Sequence, residues 1–257
     1  MTGMRTEPSV SIITPTYGRE ALLRAACAMV ARQTNADFEW LILDDSPQPS
    51  PFFANQGDPR IRYVHHAGTR LSIGAKRNRL IESARAEIIV QFDDDDYYAP
   101  SYLAKMVARM GPGDDVLKLS GWFLYSCVYR MLGYWDLNLK QGLHNVWSRN
   151  PMTGMMITGS GGAAWVNNHL GYGFSYVFRK SAWRKAPFPD QNFGEDSGFI
   201  GAALAAGCCV NHFVDTDGLC LHILHPGNTS RCFPQYVLPP FMFDRYFPSE
   251  ARAMLEM

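Results

Sequence analysis

The 257-residue sequence carries no surplus of charge of either sign: Lys+Arg and Asp+Glu stand at 24 each. No global field therefore draws the chain to nucleic acid or an anionic membrane, and any phosphate recognition has to be local. The sequence also lacks an apolar run of about 18 residues, so it offers no transmembrane helix. Its opening, MTGMRTEPSV, has no apolar core of the kind a secretory signal needs. These absences lead to the expectation of a cytoplasmic protein, with peripheral membrane contact left open. The six cysteines (27, 127, 208, 209, 220 and 232) show no paired CxxC spacing. Cys208 and Cys209 sit side by side in an apolar run and read as reduced core residues rather than a disulfide or zinc site. Asn228-Thr-Ser230 matches a glycosylation sequon, which without a signal segment reads as chance. No stretch repeats and none is of low complexity.

What the sequence does have is a sizeable apolar fraction, 47% against 19% charged, enough for one large domain or one domain with an elaboration. Its organising stretch is Glu87-Ile-Ile-Val-Gln-Phe-Asp-Asp-Asp-Asp-Tyr-Tyr-Ala-Pro100. Ile88 to Phe92 read as a buried strand, short, apolar and β-branched. Four carboxylates follow at once, Asp93 to Asp96, and Pro100 opens the next helix. Adjacent like charges at the end of a buried strand disfavour one another's ionisation. A divalent cation removes that cost, and Mg²⁺ and Mn²⁺ bind through one or two carboxylates together with substrate phosphates. The alternative is a solvated acidic turn.

The first half alternates. Val10–Thr14 form a strand ending in the turn Pro15-Thr-Tyr-Gly-Arg19. A helix follows with Leu22, Ala26, Met29 and Val30 on its buried face. Phe38–Leu43 are nearly all apolar, as in a parallel strand covered on both sides, and end at Asp44-Asp45-Ser46. Arg60–His65 suggest a shorter strand; His65 and His66 point to opposite faces and read as structural. The spacing predicts a helix over 73–86, with Ile73, Leu80, Ile81 and Ala84 inward and Lys76, Arg77 and Arg79 on its early turns. After the Asp-tipped strand, a helix buries Leu103, Met106, Val107 and Met110. This order implies an α/β fold with a mostly parallel sheet. Its strand ends, with Pro15–Tyr17, Asp44–Asp45 and Asp93–Asp96, gather on the edge where such sheets bind ligands.

The second half is less regular. Val116–Arg130 suit strands. Residues 131–170, with Trp135, Trp147 and Trp165, read either as an irregular aromatic segment packed on the sheet or as an acceptor wall, and Gly159-Ser-Gly-Gly162 as a mobile loop. Phe174–Phe178 read as a strand and Ser181–Lys185 as a short helix. Gly194-Glu-Asp196 then leads a helix with Phe199, Ile200, Ala203 and Leu204 on one face. Glu195 and Asp196 at a helix N-terminus can simply cap it. Strands at Val210–Val214 and Leu219–Leu224, then His222 and His225, precede a small terminal helix from Phe241.

Taken in order, Val10–Arg19, Trp40–Ser46, Gly74-Ala-Lys-Arg-Asn78, Phe92–Pro100 and Gly194-Glu-Asp196 with Gly207 after its helix resemble the family-2 glycosyltransferases, over about residues 8 to 230. The resemblance implies the GT-A fold, a Rossmann-like, mostly parallel sheet flanked by helices with a smaller C-terminal acceptor-side elaboration. Residues 1–115 would form the nucleotide-sugar-binding half, and 116–257 the acceptor-binding and catalytic-base half with a C-terminal tail. It also implies roles. Pro15, Thr16 and Tyr17 line the nucleotide, Tyr17 stacking on the base. Asp45 accepts a hydrogen bond from the base, and Arg70 or Arg77 approaches base or diphosphate. Asp93 opens the DXD motif, Asp94 faces the ribose and Asp95 holds the metal, Mn²⁺ or Mg²⁺. Asp196 is the catalytic base, oriented by Glu195. His225, or as second choice His222, helps hold the metal or diphosphate. The implied activity is inverting transfer from a nucleotide-diphosphate sugar, UDP being the expected base, to a carbohydrate or other hydroxyl-bearing acceptor. The acidic run is one Asp richer than the family's pattern, and 120–172 matches no part of it. A nucleotidyltransferase and an inactive sugar-nucleotide-binding module stay as alternatives.

Overall fold

Strand β2 (Phe38–Asp44) is buried at every position, and β1 (Val10–Thr16) at all but Pro15. Such strands need partners on both edges and cover on both faces. A computed structural model, describing residues 7–34, 37–148, 150–158, 170–228 and 231–256, supplies both. With β3 (Ile61–His65) and β4 (Ile88–Gln91) they form the parallel order β3-β2-β1-β4. The connecting segments carry α1 (Glu20–Ala31), a short α2 (Pro51–Ala54) and α3 (Ile73–Ser83). The Pro-rich loop after β2 thus holds a helical turn, capped by the Ser50 side chain on Phe53 N.

Beyond the tiny β5 (Tyr97–Tyr98) and α4 (Tyr102–Arg109), the long β6 (Val116–Ser126) continues the same sheet. It is joined to β4 through β10 (Val177–Arg179), which runs antiparallel to both. β6 also pairs with β7 (Met131–Asp136), β11 (Val210–Val214) and β12 (Cys220–Leu224). β12 reaches back to β5, and β13 (Tyr236–Leu238) adds to β7. The antiparallel pairings of this sheet involve β5, β7, β10 and β13, whereas β11 and β12 run parallel to β6.

The alternation of side chains sorts the core into two layers. Ile12, Trp40, Phe92 and Trp122 pack on one face, and Ile13, Leu41, Tyr176, Phe178 and Phe199 on the other. The second layer is covered by α3, α5 (Lys180–Lys185) and α6 (Glu195–Ala205). Helices α7 (Phe241–Tyr246) and α8 (Ser249–Met254) close the chain, where a single helix was expected.

Several expectations are corrected. Within the segment 131–170, the described residues up to 157 are not irregular: β7 is followed by a hairpin of β8 (Gly142–Val146) and β9 (Thr153–Ile157). Trp135 and Trp147 are fully buried in it. None of the three strands shows a clean period-2 burial pattern, and β9 has no buried residue. Trp165, Gly159–Gly162 and the second and third residues of the sequon lie outside the described residues. In α1 the inward residue is Leu23, not Leu22, and α3 stops at Ser83. Val107 and Met110 are only half-buried beside α4, and Leu204 of α6 is 46% exposed. All six cysteines are free; Cys208 is buried, but Cys209 is exposed rather than core.

Candidate active site

The C-terminal ends of β1, β2 and β4 lie side by side, because the register pairs Thr16 with Asp44 and Ile13 with Gln91. Everything beyond those pairs projects over one edge of the sheet. Pro15 and Thr16, expected in a turn, are the last residues of β1. Gly18, at φ +65, then turns the chain into α1, a backbone state that glycine adopts without a Cβ clash.

Asp44, the last residue of β2, and Asp45 separate as their alternation requires. Asp44 stays with the sheet, accepting from Tyr63 Oη at 2.6 Å. Asp45 turns to the edge. It accepts from Leu71 N at 2.7 Å and from Lys76 Nζ at 2.7 Å, while Lys76 also donates to Thr16 O at 2.8 Å. Burial pushes the Lys76 ammonium down, and the Asp45 carboxylate works against that fall. The guanidinium of Arg70 lies over the Tyr17 ring, 3.8 Å from its centroid, so these two expected residues do meet.

The four carboxylates after β4 have four different surroundings. Asp94 accepts from Thr16 Oγ1 at 2.5 Å and from Arg19 Nη1 at 2.7 Å. Asp95 accepts from the same Arg19 nitrogen at 2.7 Å and lies 3.1 Å from His225 Nε2. Asp96 is fully buried, 2.9 Å from His222 Nδ1, and accepts from Ile223 N at 2.8 Å. Asp93 is 3.6 Å from Arg77. Burial raises Asp93, Asp94 and Asp96, against the pull of Arg77, Arg19 and His222 respectively. On Asp95 burial acts upward too, but the hydrogen bond to His225 and the Arg19 charge outweigh it and bring the carboxyl down to about 2. His222 is pushed well up: burial lowers it, and the Asp96 carboxylate more than compensates. Of the two candidate histidines it is thus His225 that reaches Asp95, while His222 is held by Asp96 and stacked on Phe174. His65 is structural as expected, its Nε2 2.8 Å from Ser46 O.

Glu195 and Asp196 open α6, yet neither caps it: the N-cap is Gly194, with no side-chain cap hydrogen bond. Both instead receive the guanidinium of Arg77, Glu195 at 2.5 Å. Arg77 therefore sits on these carboxylates and Asp93 rather than beside Tyr17. Asp196 also accepts from Gly173 N at 2.9 Å and keeps a fifth of its side chain exposed. Two cations went unassigned in the sequence, Arg19 and Lys76. Arg19 lay within the quoted turn and Lys76 in the Gly74–Asn78 element, so their presence was visible and their partners were not. A groove of about 390 Å³ between β2, β3 and α3, lined by Leu43, Val64, Arg79 and Leu80, contains none of these carboxylates.

Three of the carboxylates form a donor set of the kind a divalent ion takes. Asp93, Asp95 and Asp96 each offer an oxygen, and the three lie within 4.8 Å of one another. Hard carboxylate oxygens at the mouth of a sheet suit Mg²⁺ or Mn²⁺. Within this group Asp96 also meets His222 and Ile223 N, and Asp95 meets Arg19 and His225.

A mostly parallel sheet flanked by helices, with acidic strand ends at one edge, defines the class as a GT-A-type glycosyltransferase fold. Residues 11–133 match the family described as glycosyl transferase family 2. Over 110 residues it is 34% identical to WcaA of Escherichia coli (strain K12), a glycosyl transferase ascribed to colanic acid biosynthesis, covering 41% of this chain and 39% of that one. The chain thus spans well under half of that relative. Among solved structures, Staphylococcus aureus TarS 1–349 in complex with UDP-GlcNAc is similar at TM-score 0.62 and 16% identity, over 86% of this chain and 60% of that one. The mannosyltransferase PcManGT of Pyrobaculum calidifontis, in complex with GDP-Man and Mn²⁺, is similar at TM-score 0.58 and 16% identity, over 84% and 57%. At such identities the structural likeness establishes the fold. Among the described residues no helix is long and apolar enough to cross a membrane.

Proposed function

We propose that the protein moves a sugar from a nucleotide-diphosphate donor, a UDP-sugar first, to an acceptor hydroxyl with inversion at the anomeric carbon. The observation carrying this reading is the convergence at one sheet edge of Asp45 with Lys76, the Asp93–Asp95 turn, and Asp196. Residues 1–115 form the donor side and 116–257 the acceptor side. Tyr17, backed by Arg70, offers a flat face to the base, Asp45 an acceptor for a base N–H, and Pro15 and Thr16 the floor between them. Asp94, fixed by Thr16 and Arg19, faces the ribose.

Asp95, with Asp93 and His225, would hold Mn²⁺ or Mg²⁺, which when bound supplies Lewis-acid stabilisation of the charge on the departing diphosphate. Arg19 and Lys76 add fixed positive charge on the same side. The acceptor oxygen bonds to the anomeric carbon as the carbon–oxygen bond to the diphosphate breaks, and Asp196 takes the acceptor's proton. Arg77 keeps the Glu195–Asp196 pair compatible with burial.

The test is Asp196→Asn. Diphosphate release from UDP-glucose, UDP-GlcNAc and GDP-mannose is measured with Mn²⁺ and a panel of p-nitrophenyl glycosides, alongside UDP titration calorimetry. Turnover falls by about 10²–10⁴-fold while UDP affinity holds. An Asn variant with normal turnover would remove Asp196 from the mechanism. Release of pyrophosphate instead of nucleoside diphosphate would move the protein to nucleotidyl transfer.

A further inference from the structure

Behind Asp196 lies a set of buried polar groups that the donor site does not use. Gln91, the last residue of β4, is 1% exposed. Its Nε2 donates to Gly173 O at 2.6 Å, and Gly173 N donates to Asp196 Oδ2 at 2.9 Å. The backbone of one residue, Gly173, thus links Gln91 to the carboxylate through its N–H and its C=O. The fit admits no side chain: a Cβ on Gly173 would lie 2.3 Å from Asp196 Oδ1 and 2.7 Å from Gln91 Nε2. The residue before it, Tyr172, is held at φ 66, a conformation that disfavours any side chain and persists only where the surroundings enforce it. Gln91 Oε1 is buried with no hydrogen-bond partner among the described residues.

Lys118 belongs to the same set. Val177 of β10 pairs with Val90 on one side and Leu117 on the other. One residue further, Gln91 N donates to Tyr176 O at 2.9 Å, and the register brings Lys118 level with both. Ile89, Val116, Tyr176 and Phe178 pack in the layer covered by α6. Alternation then sets Gln91, Tyr176 and Lys118 in one row on that face, beneath the helix that starts with Glu195 and Asp196. Lys118 is 3% exposed. Burial drives its ammonium down to about 7, and the opposing influence is the Asp196 carboxylate. A buried lysine is costly, and a core built for stability alone would carry an apolar residue there.

We propose that Gln91 and Lys118 are positioning residues of the transfer site, Gln91 through the Gly173 peptide and Lys118 through its charge, holding Asp196 in the orientation that meets the acceptor. This rests on the reading of Asp196 as the base. Gln91 removes the rotational freedom of the loop that presents Gly173. Lys118 gives Asp196 a second basic neighbour besides Arg77, so that the carboxylate does not swing wholly onto the Arg77–Glu195 pair.

The experiment compares the full-length wild type with Gln91→Leu, Lys118→Met and Lys118→Arg. It measures kcat and KM for UDP-glucose with Mn²⁺ and the p-nitrophenyl glycoside panel, UDP affinity by calorimetry, and the melting temperature. Misplacing a reacting group by about 1 Å costs on the order of 100-fold. Gln91→Leu and Lys118→Met are therefore expected to lose about 10- to 100-fold in kcat with UDP affinity and donor KM unchanged. Lys118→Met melts at or above the wild-type temperature, since it removes a buried charge, and Lys118→Arg recovers part of kcat. A purely structural lysine would show the opposite pair, a lower melting temperature with kcat per folded molecule intact, and that result overturns the proposal. So does full activity in both Gln91→Leu and Lys118→Met when Asp196→Asn is inactive. A wild-type protein that binds UDP yet releases no diphosphate with any donor overturns the transfer reading itself, and this inference with it.

Discussion

Four identical residues in a row, Asp93 to Asp96, do four different things, and the difference lies in what each touches. Asp95 is held at the open edge of the sheet, by the Arg19 guanidinium and by contact with His225. Asp96 is held by a histidine that nothing replaces, His222 on β12. Asp95→Ala is therefore expected to abolish the Mn²⁺ dependence of UDP binding in calorimetry while leaving the melting temperature close to wild type. Asp96→Ala leaves a buried, protonated His222 without its counter-ion, and loss of one partner of such a pair costs about 3–5 kcal/mol. Thermal melts should show that loss, and unchanged melting of Asp96→Ala would mean that His222 is neutral. The sequence left the division of labour within the run open because neighbours of the same type are indistinguishable until the direction of the turn is known. Arg77 went the same way. Its charge was plain, but whether it meets a phosphate or a carboxylate depends on where α6 packs.

Among the elements, the N-terminal ends of the central strands are tied by a group far from the chemistry. Glu39 on β2 accepts from Ser11 Oγ on β1 at 2.7 Å, from Arg85 N at 2.6 Å and Nε at 2.8 Å, and from Arg62 on β3 at 3.2 Å. Burial pushes its carboxyl up, but these donors together hold it below the ordinary value of 4.5. A carboxyl lowered in the folded state binds fewer protons there than in the unfolded chain. Its contribution is present above the unfolded value of about 4.5 and is lost as pH falls through the lower folded value. Glu39→Gln should cost about 1–3 kcal/mol at pH 7 by unfolding, from loss of charge-assisted bonds at a buried site. The gap to wild type should narrow as pH drops below about 4.5, and kcat should not change, since Glu39 sits at the opposite strand ends from Asp45. A gap independent of pH would assign the effect to packing. The strands themselves, β1 to β4, could be read from apolar runs because both faces are covered. The hairpin β8–β9 could not, since its residues are fixed by contacts such as Trp147 with Cys232 rather than by periodicity.

For the molecule as a whole, the site joins segments distant in the chain, from the 16–19 turn to His225, so a nucleotide bound there should stabilise the entire fold. By mass action a ligand at 100 times its dissociation constant adds about 2.7 kcal/mol. For a chain of this size each kcal/mol raises the melting temperature by roughly 2–4 °C. UDP with Mn²⁺ should therefore raise the melting temperature by several degrees, more than UDP with EDTA. Equal shifts with and without the ion would count against a metal at Asp95.

The sequence alone determined which chemistry the molecule can present. Apolar runs that end in carboxylates must become buried strands with acidic tips, and the parallel order of strand and helix sends those tips to one edge. Tertiary structure decided which partner each charged side chain meets. Arg19 crosses to Asp94 and Asp95, Lys76 to Asp45, and the Gly173 peptide to Asp196. Periodicity encodes which face a residue takes within its own element, whereas the meeting of two side chains from remote elements depends on packing that no local pattern specifies.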